Sequence, residues 1–305
     1  MKKLLFIFNP HSGTGAIGKH LLQVLDIFTK AGYEVVAYPT QASRDAVVKI
    51  IRDAERFDRV VVSGGDGMLH EMVNGILRLP KPMEVGYIPT GTVNDFAFST
   101  RIPRTVPEAA ALAVSDQIKA LDVGNFAGRY FAYIAAFGIG TNASYDTDQK
   151  AKNRWGFLAY ASNAFKGIEL SNLGANCRQM TIRAGEQVLE GSFVFGSISN
   201  SRSIAGMTNL VAKDVELDDG LLDGLFIRLP KNLYEMDRLR NSLMARNFDS
   251  ECMYFIRAEH FEIESEPTAW TLDGEWGGEH TDVQVSTEKL VLHIALPEEE
   301  QEDEQ

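Results

Sequence analysis

Short apolar runs alternate with amphipathic stretches over the first third of the chain. Four runs have the length and apolar character of buried strands: residues 4–8, 33–38, 59–63 and 85–88. Three stretches between them repeat apolar residues at helical spacing: residues 17–31, 45–56 and 68–79. In the first of these, four apolar side chains are expected on one helical face: Leu21, Leu22, Leu25 and Phe28. Strands that alternate with helices and are apolar on both faces predict an open parallel sheet in an α/β domain.

The pattern changes after about residue 122, where strand-like runs are joined by glycine and asparagine turns. These runs lie at residues 130–137, 178–183, 187–199, 222–228 and 255–264. Only residues 155–170 and 233–247 have helical spacing. This part predicts an antiparallel, β-rich second domain, built as a sandwich or a barrel-like pair of sheets. A last predicted strand, residues 290–296, fits either domain.

Composition narrows the class of protein. The 305 residues are 45% hydrophobic and 24% charged, and no apolar run reaches the roughly 18 residues of a membrane span. The net charge of −12 argues against nucleic acid as a partner, because little positive charge is left to neutralise phosphates. Cys177 and Cys252 lie far apart, as expected for a reduced cytoplasmic protein without a disulfide framework. Residues 298–305 form an acidic tail that we expect to be solvated and disordered.

Polar, glycine-containing loops follow three predicted strands of the first domain. Residues 9–13 read Asn-Pro-His-Ser-Gly, residues 64–67 read Gly-Gly-Asp-Gly, and residues 89–96 contain Thr92. Glycines let backbone N–H groups approach a phosphate, and Asp66 offers a carboxylate to a metal ion. A tight turn is the alternative for each loop alone. The carboxyl ends of parallel strands meet at one edge of a sheet, so the three loops together predict a shared nucleotide site.

Two acidic motifs lie in the predicted second domain. Residues 216–223 place carboxylates around Gly220, and a hard cation such as Mg²⁺ prefers oxygen ligands of this kind. A solvated acidic turn is the alternative. Asp273-Gly274-Glu275 stands among aromatic residues, and its carboxylates suit a general base, although an ordinary turn fits the same residues.

Together these segments resemble the catalytic domain of the diacylglycerol kinase family, and more narrowly its soluble bacterial lipid kinases. Five segments match in order: residues 9–13, 64–67, 89–97, 218–223 and 273–275. The resemblance covers nearly the whole chain. It implies an ATP-binding α/β domain of residues 1–122 joined by residues 288–297, and a β-sandwich domain for the lipid of residues 123–287. It also implies that ATP and lipid meet between the domains and that the γ-phosphoryl group passes to a lipid hydroxyl, such as that of diacylglycerol.

The resemblance also implies roles for individual residues. Glu275 is expected to act as the general base, and Asp66 to help organise a catalytic Mg²⁺. A second, structural Mg²⁺ is expected at the Asp219 carboxylate and the carbonyls of Glu216 and Leu221. The expected ATP contacts are Asn9, Pro10, His11, Ser12, Gly13, Thr40, Gly64, Gly65, Asp66, Gly67, Met68, Leu69 and Thr92.

The chain departs from the family pattern at two places. Met68 stands where the glycine loop usually continues into threonine, so a hydroxyl that binds phosphate or caps the helix is absent. The glycine-rich stretch and the proline expected before the acidic turn are replaced by residues 203–207 and Lys213. These departures leave the acceptor lipid and the efficiency of turnover open.

One segment combines basic and aromatic residues in an otherwise acidic chain. Its members are Lys150, Lys152, Arg154, Lys166, Trp155 and Phe157. This combination suits an anionic membrane surface, and we predict transient contact of the enzyme with such a surface. An amphipathic helix that packs its aromatic residues inward is the alternative.

Other functions compete with that of a lipid kinase. A NAD kinase or a phosphofructokinase also uses a Gly-Gly-Asp-Gly turn, but the Asn-Pro opening and the Asp-Gly-Glu motif fit a lipid kinase better. Met68 favours a catalytically weak regulator that binds nucleotide or lipid. A dinucleotide-dependent oxidoreductase is set aside, because no Gly-x-Gly-x-x-Gly loop follows the first strand. The oligomeric state stays open, with a dimer as one option.

Overall fold

A computed structural model describes residues 1–139, 141, 174, 177–201, 216–245, 247 and 250–298. The chain divides into two compact units. The first unit contains Met1–Leu121 and the described residues from Val291 onwards, and the second contains the described residues of Asp122–Leu290. The predicted helix of residues 155–170 and the basic, aromatic segment around Trp155 lie outside the described residues.

A parallel sheet forms the centre of the first unit. Its own strands are β1 (Lys2–Phe8), β2 (Tyr33–Pro39), β3 (Arg59–Gly64) and β4 (Val85–Pro89). The order is β4-β3-β1-β2, and Ile294 of the last strand, β13 (Glu275–Ala295), adds a parallel pair with Val85 on the outer side of β4. All residues of β3 and β4 are buried, as their continuous apolar character predicts.

Helices connect the strands of the first unit. They are α1 (Ala16–Lys30), α2 (Asp45–Asp53) with a 3₁₀ turn at Ala54–Arg56, α3 (Asp66–Ile76), α4 (Asp95–Ser99) and α5 (Val106–Ala113). The predicted face of α1 is wrong at Leu22, which is exposed, whereas Ile17, Val24 and Phe28 are buried. Helices α4 and α5 were not predicted. α5 packs on β4 at Gly86, where an added β-carbon would lie 2.5 Å from that of Ala113.

Antiparallel strands predominate among the described residues of the second unit. They are β5 (Ile118–Phe126), β6 (Arg129–Phe131), β7 (Ile134–Gly138), β8 (Arg178–Ala184), β9 (Gln187–Ser199), β10 (Leu222–Arg228), β11 (Met253–Ala258), β12 (His260–Leu272) and β13. The pairing order is β11-β10-β9-β7-β12-β13, and β8 pairs with both β9 and β12. One helix, α6 (Leu233–Ala245), follows β10.

Aromatic side chains fill the core of the second unit. Trp270 is fully buried and lies between Phe126 and Phe137, at centroid distances of 5.0 and 4.8 Å. Edge-on and tilted contacts of this kind add to the free energy gained by burying the rings. Cys252 is buried, Cys177 is partly exposed, and both are free thiols in the structure.

Two predicted strands of the second unit are each divided in the structure. Residues 130–137 form β6 and β7, because the N–H groups of Ala132 and Tyr133 are donated to the Asp273 carboxylate instead of to a neighbouring strand. Residues 255–264 form β11 and β12, which are separated at Glu259. The predictions located the apolar runs and missed the breaks within them.

Candidate active site

The loops that follow β1, β3 and β4 meet at one edge of the first unit's sheet. Asn9 donates its N–H to the Ser63 carbonyl at 3.0 Å, and the Thr90 N–H is donated to the Gly64 carbonyl at 2.8 Å. Gly13 has a positive φ of 56°, and an added β-carbon would lie 2.4 Å from the Thr90 carbonyl oxygen. Glycine is required at position 13 both for this backbone conformation and for this close approach.

The glycine loop after β3 packs directly on the loop after β4. A β-carbon at Gly91 would lie 2.4 Å from the Cα of Gly65. The Gly64 carbonyl also accepts hydrogen bonds from Gly91 N–H at 3.2 Å and from the buried Tyr87 hydroxyl at 3.1 Å. The inner wall of this loop cluster is therefore made of backbone, which leaves no room for a side chain at Gly91 and only a tight fit, 3.3 Å from the Gly91 Cα, for a β-carbon at Gly65.

Asp66 is the first residue of helix α3, directly after the extended Gly65. Its Oδ2 accepts the backbone N–H of Asn94 at 3.0 Å. The Asn94 side chain closes its own loop, because Oδ1 accepts the Gly91 N–H at 3.1 Å. The first turn of a helix presents backbone N–H groups without intrahelical partners, and its dipole favours an anion. The carboxylate of Asp66 is thus fixed beside a helix end suited to phosphate.

Asp95, the residue after Asn94, is a second carboxylate of this region. Burial raises the pKa of Asp95 to about 6. The pKa of the fully buried Tyr87 hydroxyl is well above its usual range, first because of burial and then because of the negative charges of Asp66 and Asp95. The negative charges of Asp66 and Asp95 therefore both raise the pKa of the same hydroxyl. Asp95 was not among the predicted site residues, although an acidic residue in a strand-end loop is a usable signal.

Met68 and Leu69 contribute to packing. Leu69 is fully buried and Met68 is 8% exposed. A β-carbon at Gly64 would lie 2.4 Å from the Cβ of Met68, so the methionine occupies the space beside that glycine.

The remaining predicted ATP contacts lie around the loop cluster. Thr40 donates its N–H to the Phe8 carbonyl at 2.9 Å, and Ser12 is buried. His11 and Thr92 are exposed, and Pro10 and Gly67 are half-buried. The structure thus places the predicted nucleotide residues on neighbouring loops of one unit. Their contacts with ATP stay predictions.

Glu275 is exposed and is the first residue of β13, in the second unit. The two residues before it form the turn between β12 and β13, with positive φ at Asp273 (52°) and Gly274 (82°), as a type I′ hairpin requires. The Asp273 carboxylate is buried and accepts three backbone N–H groups, those of Ala132, Tyr133 and Ile134, at 2.8–3.1 Å. A rigid hairpin therefore carries Glu275.

The acidic turn lies between residue 216 and the start of β10. The N–H of Gly220 is donated to Oδ2 of the buried Asp122 at 2.6 Å, and the Leu290 N–H to its Oδ1 at 2.7 Å. Asp219 Oδ1 accepts the Leu221 N–H at 2.9 Å, and its Oδ2 lies 3.1 Å from Nη2 of Arg257. Among the described residues, no group of three or more histidine, cysteine or acidic side chains has a metal-binding arrangement.

Comparisons with known proteins extend these observations to the whole chain. The family model of the diacylglycerol kinase catalytic domain matches residues 3–126. A diacylglycerol kinase of Bacillus subtilis (strain 168) is 33% identical over 306 residues, which covers 99% of each chain. The chain belongs to the diacylglycerol kinase family. The prediction of this family, and of a lipid kinase enzyme, is confirmed.

Further relatives agree with this membership. A diacylglycerol kinase of Staphylococcus carnosus (strain TM300) is 34% identical over 281 residues, which covers 91% of this chain and 90% of the relative. The crystal structure of a diacylglycerol kinase from Bacillus anthracis strain Sterne has a TM-score of 0.81 at 22% identity and covers 97% of both chains. At that identity the similarity concerns the fold, and it confirms a mixed α/β protein with an extensive sheet. No helix within the described ranges is long and apolar enough to cross a membrane.

Proposed function

We propose that this member of the diacylglycerol kinase family uses ATP to phosphorylate the hydroxyl of diacylglycerol or a related lipid. The observation that carries the proposal is the contact of three strand-end loops, backbone against backbone, beside the N-terminus of α3. In our assignment residues 1–122 and 288–297 bind ATP, and residues 123–287 bind the lipid. Relatives that carry the name diacylglycerol kinase over the full chain length support this acceptor class.

The loop cluster supplies what a triphosphate needs from a protein. Gly13, Gly65 and Gly91 bring backbone close to backbone, and the first turn of α3 offers N–H groups and a favourable dipole. Phosphoryl transfer depends mainly on positioning and charge neutralisation. A site of fixed backbone donors stabilises charge without rearranging during the reaction.

The carboxylates of Asp66 and Asp95 fit a divalent cation, since Mg²⁺ prefers carboxylate and phosphate oxygens. When bound with ATP, Mg²⁺ would neutralise charge that develops on the transferred phosphoryl group. Asp66 is held for this role by the Asn94 N–H, which fixes Oδ2 and so orients the whole carboxylate. The Asp95 carboxyl, with its pKa of about 6, is mostly ionised at neutral pH.

Glu275 is the proposed general base. In the reaction, the acceptor oxygen forms a bond to the γ-phosphorus, the bond from that phosphorus to the ADP oxygen breaks, and the hydroxyl proton passes to the Glu275 carboxylate. Exposure leaves this carboxylate accessible to a substrate, and the Asp273 hairpin limits its movement. Positioning by a rigid element is what a general base requires.

A lipid-panel kinase assay with ATP and Mg²⁺ tests the proposal. We expect Glu275→Gln to lower kcat for the preferred lipid by at least about 100-fold, because general bases contribute about 10²–10⁴-fold to rates. ATP affinity measured by calorimetry should change by less than about threefold, since the base does not touch the nucleotide. Glu279→Gln is the matched control, because Glu279 is exposed on the same strand.

Two results would contradict parts of the proposal separately. Unchanged turnover by Glu275→Gln would reject the base and leave the lipid kinase assignment standing. Phosphorylation of NAD⁺ or a sugar phosphate, with no activity on any lipid, would reject the acceptor class. ATP binding without phosphorylation of any acceptor would instead support a regulator that binds nucleotide.

A further inference from the structure

The acidic turn is held by a guanidinium group from a neighbouring strand. Arg257 places Nη2 at 3.1 Å from Oδ2 of Asp219 and Nε at 3.2 Å from Oδ1 of Asp223. The other oxygen of Asp219 accepts the Leu221 N–H at 2.9 Å. Both oxygens of the carboxylate that is expected to bind a structural Mg²⁺ are therefore engaged by groups of the protein.

The position of Arg257 is set by sheet pairing. Strands β10 and β11 are antiparallel, and Arg257 stands directly opposite Asp223 in their register. The Asp223 side chain is almost fully buried, whereas Arg257 is about one-third exposed. A guanidinium is planar and carries several N–H donors, so it bridges two carboxylates at once in a way that an ammonium cannot.

A second basic side chain covers the turn at Gly220. The backbone there has a positive φ of 79°, and an added β-carbon would lie 2.7 Å from Cε of Lys289. The Lys289 ammonium is 2.6 Å from the Glu259 carboxylate. The Gly220 N–H is donated to Oδ2 of Asp122. Arg257, Lys289 and Asp122 thus surround the turn from three separate segments of the chain.

We infer that Arg257 stabilises the acidic turn and takes the place of the second, structural Mg²⁺ that the family resemblance implies. The set formed by Glu216, Asp219 and Leu221 does not fit a metal ion in this chain, because the Arg257 guanidinium already neutralises the Asp219 carboxylate from 3.1 Å and its positive charge would repel a cation bound there. Each Asp219 oxygen already has one partner in the protein, and a cation at Oδ2 would lie beside the guanidinium of Arg257. The acidic turn then folds without a divalent cation. This inference concerns the turn alone and is independent of the proposed kinase activity.

Thermal unfolding of the full-length, nucleotide-free protein tests this inference. We expect the unfolding midpoint of the unaltered chain to shift by less than about 1 °C between excess EDTA and excess Mg²⁺, because no metal stabilises the turn. Arg257→Met keeps the aliphatic stem and removes the guanidinium. It should lower the midpoint by about 5 °C or more, since two carboxylates lose their partner.

Arg183→Met is the matched control, because Arg183 lies on β8 of the same unit and pairs with Glu264 at 2.8 Å on the exposed surface. Its midpoint should fall by less than about 2 °C. A midpoint for Arg257→Met no lower than that of the control would overturn the inference. A stabilisation of the unaltered chain by Mg²⁺ that Asp219→Asn abolishes would also overturn it, and this second result needs no Arg257 variant to fold.

Discussion

The two units hold their functional loops by different physical means. In the first unit, Gly13, Gly65 and Gly91 let the loops approach through backbone atoms, so packing itself fixes the geometry. In the second unit, buried carboxylates hold the turns, with Asp273 accepting three N–H groups and Asp122 accepting two. A loop that packs through glycine is disrupted when a substitution adds a side-chain atom. A turn that is held by a carboxylate is disrupted when a substitution removes the oxygen atoms that accept its hydrogen bonds.

The largest effect on stability is expected from Asp273→Ala. It leaves three buried N–H groups without their acceptor and places alanine at a positive φ, for a total cost of about 3–5 kcal/mol in the free energy of unfolding. Asp273→Asn tolerates that φ and keeps one acceptor oxygen, so it should lose less. Chemical denaturation measures both, with exposed Asp218→Ala as the control, expected within about 0.5 kcal/mol of the unaltered chain. A cost for Asp273→Ala as small as that of the control would show that the carboxylate does not hold the hairpin.

A smaller loss of stability, with a larger effect on binding, is expected from Gly91→Ala. The added methyl group would meet the Cα of Gly65 at 2.4 Å, so the two loops must separate. We expect a cost of about 1–3 kcal/mol and ATP binding weakened by at least about tenfold. Calorimetric titration with ATP measures the second quantity.

Gly18→Ala is the control for this substitution. Gly18 is an exposed helical residue of α1 with nothing within 4 Å of an added β-carbon, so alanine should stabilise the helix by up to about 1 kcal/mol. Unchanged ATP affinity in Gly91→Ala would show that contact between the loops is not needed for the nucleotide site.

The smallest expected effect depends on pH and concerns Asp95. The pKa of Asp95 is raised by burial to about 6 in the folded chain, above its unfolded value, so ionisation opposes folding. The free energy of unfolding should therefore fall as pH rises from about 4 to about 7, by about 1–2 kcal/mol after allowance for solvent screening. Asp95→Asn has no carboxyl group to ionise at this position, so this part of the fall in unfolding free energy should be absent.

Urea unfolding of both proteins at the two ends of that pH range, without Mg²⁺ or nucleotide, measures the difference. Relative to the unaltered chain, Asp95→Asn should gain stability at the upper pH. Asp116→Asn changes an exposed carboxylate of the same unit and should follow the unaltered chain throughout. A constant difference between Asp95→Asn and the unaltered chain would mean that Asp95 is not destabilised by its burial.

Local patterns explain which parts of the fold were predictable. Continuous apolar runs located the strands of the first unit, and glycine loops at their ends marked the candidate site. Helix α5 was missed because its alanine-rich sequence has no marked polar face, and its contact with Gly86 is visible only in three dimensions. Leu22 was placed on the wrong face because helical spacing alone does not identify which edge of an apolar stripe is covered.

Contacts between distant residues explain what the sequence could not predict. Asp273 accepts hydrogen bonds from a segment about 140 residues earlier, and that contact divides one predicted strand into β6 and β7. Arg257 reaches Asp219 through the register of two strands, which no local motif encodes. Asp95 was not among the predicted site residues, because its burial is not visible in the local sequence. The local sequence therefore indicated which residues could carry chemistry, but not the distant residues that they contact.

The backbone wall of the loop cluster also restricts how this enzyme can evolve. Positions 13, 65 and 91 accept no larger residue without moving a neighbouring loop, and Met68 imposes the same restriction on position 64. Sequence variation in this loop cluster is therefore expected mainly at exposed positions such as His11 and Thr92. Substitutions are therefore tolerated more easily at the exposed positions of this loop cluster than at its glycines.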